Sequence, residues 1–333
     1  MTLDSDKSFL VILVFSALII GAITIYCSLN HQQNIDNQIV SGSIHMLNTT
    51  NDGVETSFKE NYVKNKTKVG RFDYHHNMMS ENPNFLDWNN MAKYIYDRYY
   101  DYNAFIIIVN NESLLYTAIA LSFIIEDLNK PIIFTNGDNV FASLLSASQT
   151  KIPEVMIYSN NNLFRAVKSI YYGFDNFSSP DYYPLSNVNC LQIHDNKYPS
   201  LKYINNLVIP IIKVFPGIDQ NYMNSVLNTK NVHGIIIELN GNNSGLINKN
   251  ILQTIKNITS RGIIVVCVSE NKLNTNNDID IRLINAGCLD AGNATTETAY
   301  IKLAFLLSNV HEKKLIGKLM EINFRGENDI EIK

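Results

Sequence analysis

Apolar residues fall in short runs that alternate with stretches of helical periodicity. Residues 105–109 (FIIIV) form a compact, β-branched run, the pattern of a strand buried on both faces. Asn110 and Asn111 follow as N-cap candidates, and Glu112 sits in a first turn, where an acid complements the helix dipole. Leu114, Ala118, Leu121 and Ile125 then recur at helical spacing, and Pro131 reopens an extended segment over 132–135. Further strands are predicted over 155–158, 208–215, 234–239 and 262–268, and helices over 219–228, 247–260, 295–308 and 310–321. Alternation of this kind predicts an α/β fold with a mostly parallel sheet and helices on both faces. Ligands in such folds sit beyond the carboxyl ends of strands. Here those loops are 110–113, 136–139, 159–162, 240–245 and 269–271, rich in the Asn, Ser and Gly that also make ordinary turns.

A chain of 333 residues can bury a large core and supports two domains. The division expected is an amino-terminal tail and hydrophobic anchor over 1–30, a larger α/β domain over 31–190, a linker over 191–206 and a smaller α/β domain over 207–333. Residues 9–26 are uncharged and nearly long enough to cross about 30 Å of hydrocarbon, so they read first as a single-pass membrane anchor. A secretory signal is the alternative. Net charge of -4 gives no electrostatic footprint for nucleic acid. The four cysteines lack any C-x-x-C, and neither H-E-x-x-H nor a P-loop occurs, so no metal and no cofactor are expected.

Several segments resemble the asparaginase/glutaminase family, and within it the bacterial type I asparaginases. WNNMAKYIYDRYYDYNAF (88–105) resembles the helix before the family's H-G-T-D-T strand, and Tyr116, Thr117, Ala118 and LSF (121–123) resemble the helix after it. IPEVMIYSNNNLFRA (152–166) and GFDNFSSPDYYPL (173–185) are similar to segments that complete the larger domain. FPGID (215–219), HGIIIELNGN (233–242), RGIIVVCVS (261–269), TTETAYIKLAFLLS (295–308) and NFRGE (323–327) resemble the smaller one.

The resemblance implies hydrolysis of L-asparagine to L-aspartate and ammonia by a threonine hydroxyl, with small amino acids as ligands and a homo-oligomeric assembly. A hydroxyl is a weak nucleophile unless neighbours take its proton. By resemblance, H-G-T-D-T falls on Val109, Asn110, Asn111, Glu112 and Ser113, the family lysine on Lys168, and a substrate-binding serine on His75 of YHHNM (74–78). Lys168, Glu112 and Asn111 are therefore the catalytic candidates, and His75 and Ser113 the substrate-binding ones. The amino-terminal T-G-G-T-I, sought in the apolar run, falls on Ser16 to Ile20 and sets Ile19 where the nucleophile belongs. On that placement catalysis is impaired, and the second expectation is a silent, membrane-tethered binding protein or subunit.

Overall fold

The computed structural model describes residues 43–48, 71–76, 80, 82–173, 176–179, 184–185, 198–227, 231–239, 246–269 and 279–328. The amino-terminal part runs β1 (Ser43–Asn48), β2 (Arg71–His76), α1 (Phe85–Asp97), β3 (Ala104–Ile108), α2 (Asn111–Ile124), β4 (Ile125–Glu126), β5 (Ile132–Thr135), α3 (Val140–Gln149), β6 (Val155–Ser159) and β7 (Asn162–Arg165). A 3-10 turn (Ala166–Lys168) leads to the hairpin β8 (Ile170–Gly173) and β9 (Asn176–Ser178), and β10 (Ser200–Leu201) then pairs back onto β4. The carboxyl-terminal part follows as β11 (Ile211–Lys213), α4 (Gln220–Leu227), β12 (Gly234–Leu239), α5 (Lys249–Ser260), β13 (Ile264–Ser269), α6 (Ile281–Asn285), β14 (Leu289–Asp290), α7 (Thr296–Asn309) and α8 (Lys313–Glu321).

The first sheet has the order β2-β1-β3-β5-β6-β7, parallel except for β7, and the second is the parallel β11-β12-β13-β14. Period-two alternation divides the side chains of each sheet between two cores. In β3, Ala104, Ile106 and Ile108 pack with Val140 and Leu144 of α3, whereas Phe105 and Ile107 join Ala92 and Ile95 of α1 and the buried length of α2. In the second sheet Ile235, Ile237 and Cys267 meet Ile251, Ile255 and Met223, while Ile236, Val266 and Val268 face the core that also contains α1 and α2. One core therefore joins both domains, with α2 packed on α7 through its centre. That position explains why α2 has almost no polar face: a helix covered on all sides gains nothing from one.

Strands 132–135 and 234–239 form where the sequence pattern predicts them, and 208–215 is shorter, reduced to Ile211–Lys213 with an isolated bridge from Val208 to Val232. The sequence pattern misses β1. Its six residues, SIHMLN, bury Ile44 and Met46 on one side and Leu47 on the other, a weak signal beside the continuous run at 9–26. Residues 9–26 and 16–20 lie outside the described residues. Among the described residues no helix is long and apolar enough to cross a membrane.

Candidate active site

The order β2-β1-β3 contains a reversal. From β1 the chain moves outward to β2, then returns past β1 to build β3, β5 and β6 on its other side. Such a switch point leaves a crevice beyond the carboxyl ends of the two strands, because their following loops depart in opposite directions. Asn48, the last residue of β1, stands in register with His76 on one side and Ile108 on the other. His75 pairs with Leu47, so its backbone lies at the same carboxyl edge, with β1 between it and the strand that leads into α2.

Three of the predicted site residues come together at that start. Asn110 is the N-cap in an extended conformation, yet its side chain makes no capping bond, which corrects the capping role expected of it. The first turn is instead closed by its carbonyl, which accepts from the N–H groups of Ser113 (3.1 Å) and Leu114 (3.0 Å) and from Ser113 Oγ (3.3 Å). Glu112 is exposed, Asn111 half-buried and Ser113 buried. The helix dipole at this end favours an anion or a carboxylate. One turn further in, Thr117 Oγ1 donates to Ser113 O (2.7 Å) and accepts from Trp88 Nε1 (3.1 Å), tying α2 to α1 with no group left wet. Tyr116 faces Tyr300 of α7 edge-on at 6.1 Å. Burial, then the charges of Glu297, Tyr300 and Glu238, push its phenol well above the ordinary range, so it stays protonated.

Lys168 sits on a buried turn. It is 3% exposed, and the 3-10 turn bearing it packs against α2. The turn follows β7, whose Arg165 forms a bidentate pair with Glu154 at 2.6 and 2.9 Å. Each carbonyl from 165 to 168 has a donor: Ser169 Oγ to Arg165 O (2.9 Å), Ser169 N to Ala166 O (3.1 Å), Thr298 Oγ1 to Val167 O (2.9 Å) and Ser179 Oγ to Lys168 O (2.8 Å). Ser179 and Thr298 were not singled out by sequence reasoning; only their contact across 131 residues in the latter case marks them.

Among the described residues no group of three or more His, Cys, Asp or Glu side chains is placed to hold a metal ion. Cys267 and Cys288 are both buried as free thiols in the second core.

Comparison with known proteins agrees with this architecture. The family model for the amino-terminal asparaginase domain matches residues 38–200, and that for the glutaminase/asparaginase carboxyl-terminal domain matches 208–320. L-asparaginase 1 of Escherichia coli strain K12 is 31% identical over 273 residues, covering 72% of this chain and 79% of that protein. An L-asparaginase from Dirofilaria immitis is 26% identical over 298 residues, 80% of this chain and 50% of that protein. The crystal structure of L-asparaginase I from Vibrio cholerae superposes with a TM-score of 0.76 at 25% identity, covering 87% of this chain and 99% of that one. The match begins at residue 38, after the apolar run, and β1 is its first strand among the described residues; Ser16 to Ile20 lie outside the match. The family match therefore gives no support to the placement of the nucleophile position on Ile19. With both domains accounted for, the chain belongs to the asparaginase family of amidohydrolases.

Proposed function

We propose that this chain hydrolyses the side-chain amide of L-asparagine to L-aspartate and ammonia. The observation that carries the reading is the position of β1: it ends between β2 and β3 at the switch point, and the chain continues from it as Thr49-Thr50. A hydroxyl from this pair attacks the amide carbon, ammonia departs with the added proton, and water then cleaves the acyl ester to regenerate the threonine. Lys168 holds and returns the hydroxyl proton, Asn111 presents its amide to the developing oxyanion, and Glu112 binds the substrate ammonium. Ser113 and His75 contribute to holding the substrate at the carboxyl edge.

Glu112 stands where the family has an aspartate, and its extra methylene moves the carboxylate outward. A displacement on the order of 1 Å can cost about a hundredfold in rate, so turnover is expected to be slower than in relatives bearing aspartate. Asn111 in place of a second hydroxyl favours the other reading, a silent protein that binds aspartate or asparagine. Ammonia release from L-asparagine and L-glutamine, compared between the wild type, Thr49→Val and Thr50→Val, separates the two. Loss of a nucleophile costs about 10⁶ in turnover in the subtilisin precedent, so one of the two variants is expected to fall to background. Thermal stabilisation by aspartate with no turnover in any of the proteins supports the silent reading.

Residues 9–26 precede the family match, so an anchor there leaves the fold complete, and we place the protein at a membrane through this segment as a homo-oligomer. Retention in the pellet after alkaline carbonate extraction is the expected result; release into the supernatant contradicts the anchor.

A further inference from the structure

Thr298 Oγ1 is within hydrogen-bonding distance of two oxygens, Val167 O at 2.9 Å and Thr295 Oγ1 at 3.1 Å. A hydroxyl has one proton, and a carbonyl can only accept, so the Thr298 proton goes to Val167. Thr295 must therefore supply its own proton to Thr298 Oγ1, while a lone pair on Thr295 accepts the Thr298 N–H at 3.1 Å as the helix cap. The result is a chain with a fixed direction, from the cap of α7 to the carbonyl beside Lys168. Thr295 is 4% exposed and Thr298 and Val167 at most 1%, so water does not compete with it.

Three carbonyls over 165–168 accept from side-chain hydroxyls: Arg165 O from Ser169, Val167 O from Thr298 and Lys168 O from Ser179. Ser169 and Ser179 belong to the same domain as the turn; Thr298 alone comes from the carboxyl-terminal domain. The peptide it grips is the one that joins Val167 to Lys168.

We infer that Thr298 is a positioning residue for Lys168, through which the seating of α7 on the amino-terminal domain sets where the lysine stands. This rests on the proposed role of Lys168 in proton transfer. Removing the hydroxyl frees the Val167 carbonyl, the peptide plane turns to find another donor, and the lysine turns with it. A purely structural role, satisfying one buried carbonyl, would lower stability and leave the chemistry of Lys168 unchanged.

The test uses the full chain with lysine labelled at 13Cε, in which Lys168 is assigned by loss of its signal in Lys168→Arg. In Thr298→Val the titration midpoint of the Lys168 signal is expected to move, kcat for asparagine to fall about ten- to a hundredfold with KM little changed, and Thr298→Ser to restore both. An unmoved Lys168 titration and unchanged kcat, with only a lowered melting temperature, would overturn the inference. If the wild type has no turnover, the proposed function fails but the titration still decides the role of Thr298. If Thr298→Val does not fold, Thr298→Cys, which keeps a weak donor, should show the same shifts in smaller measure; wild-type values from it would also overturn the inference.

Discussion

Two lysines are buried among the described residues, and their surroundings differ in kind. Lys302, in the middle of α7, spends its ammonium on Met320 O (2.8 Å), Ile322 O (2.6 Å) and Glu327 Oε1 (2.8 Å). Three donors meet three acceptors, and Glu327 in turn accepts from the N–H groups of Phe324 and Arg325. The pair clasps the end of α8 and the NFRGE segment to the core, and Arg325 extends the clasp to Ser122 O and Glu126 of the other domain. At Lys168 the backbone of the turn is gripped by the hydroxyls of Ser169, Ser179 and Thr298. Burial of a lysine is therefore no signal of function by itself. At Lys302 the ammonium itself holds the fold, through three acceptors on the carboxyl-terminal segment.

The comparison predicts opposite effects from equivalent substitutions. Lys302→Met leaves the Glu327 carboxylate buried and uncompensated, a loss of about 3–5 kcal/mol of stability, visible in a urea or thermal melt; pairing it with Glu327→Leu should recover most of that. Lys168→Met should cost at least about a hundredfold in turnover, with a much smaller change in the melt. Equal stability losses in the two lysine variants would erase the distinction. Gly326 offers a finer probe of the clasp. Its φ is +82°, and an added Cβ would lie 2.6 Å from Nη1 of Arg165, so Gly326→Ala should cost about 1–2 kcal/mol. A melt unchanged by this substitution would show that the NFRGE segment is not held against the Arg165–Glu154 pair.

The smallest predicted effect is in acid. Burial alone would raise the pKa of Glu327, but Lys302 and the N–H groups of Phe324 and Arg325 outweigh it and hold the carboxyl below the ordinary range. A folded pKa below the unfolded one means that the contribution is complete above the ordinary glutamate value of about 4.3 and is lost as pH falls through the lowered folded value. Acid unfolding of Glu327→Gln should therefore lack part of the slope that the wild type shows below about pH 4.3.

Legibility of the sequence followed signal strength in a physical sense. Residues 105–109 and 132–135 are buried on both faces, so nothing interrupts their apolar runs, and α2, buried along most of its length, was read from the spacing of Leu114, Ala118 and Leu121 and from Pro131 after it. The strand β1 is just as central to the sheet, but alternation with Ser43, His45 and Asn48 diluted it, and the apolar run at 9–26 drew the amino-terminal motif away from it. At the candidate site, Asn111, Glu112 and Ser113 could be read because they open a helix. Lys168 was singled out through the family resemblance, while its burial was not visible. Thr298 could not be found at all, because its role depends on a contact between domains that no local pattern encodes.

The central claim is that the switch point beyond β1 and β3 is a working amidohydrolase site. Ammonia release from L-asparagine by the purified full chain, side by side with Lys168→Met, tests it most directly. The account predicts turnover by the wild type that falls at least about a hundredfold in the variant; no turnover by a folded wild type, or equal turnover in both, would contradict it.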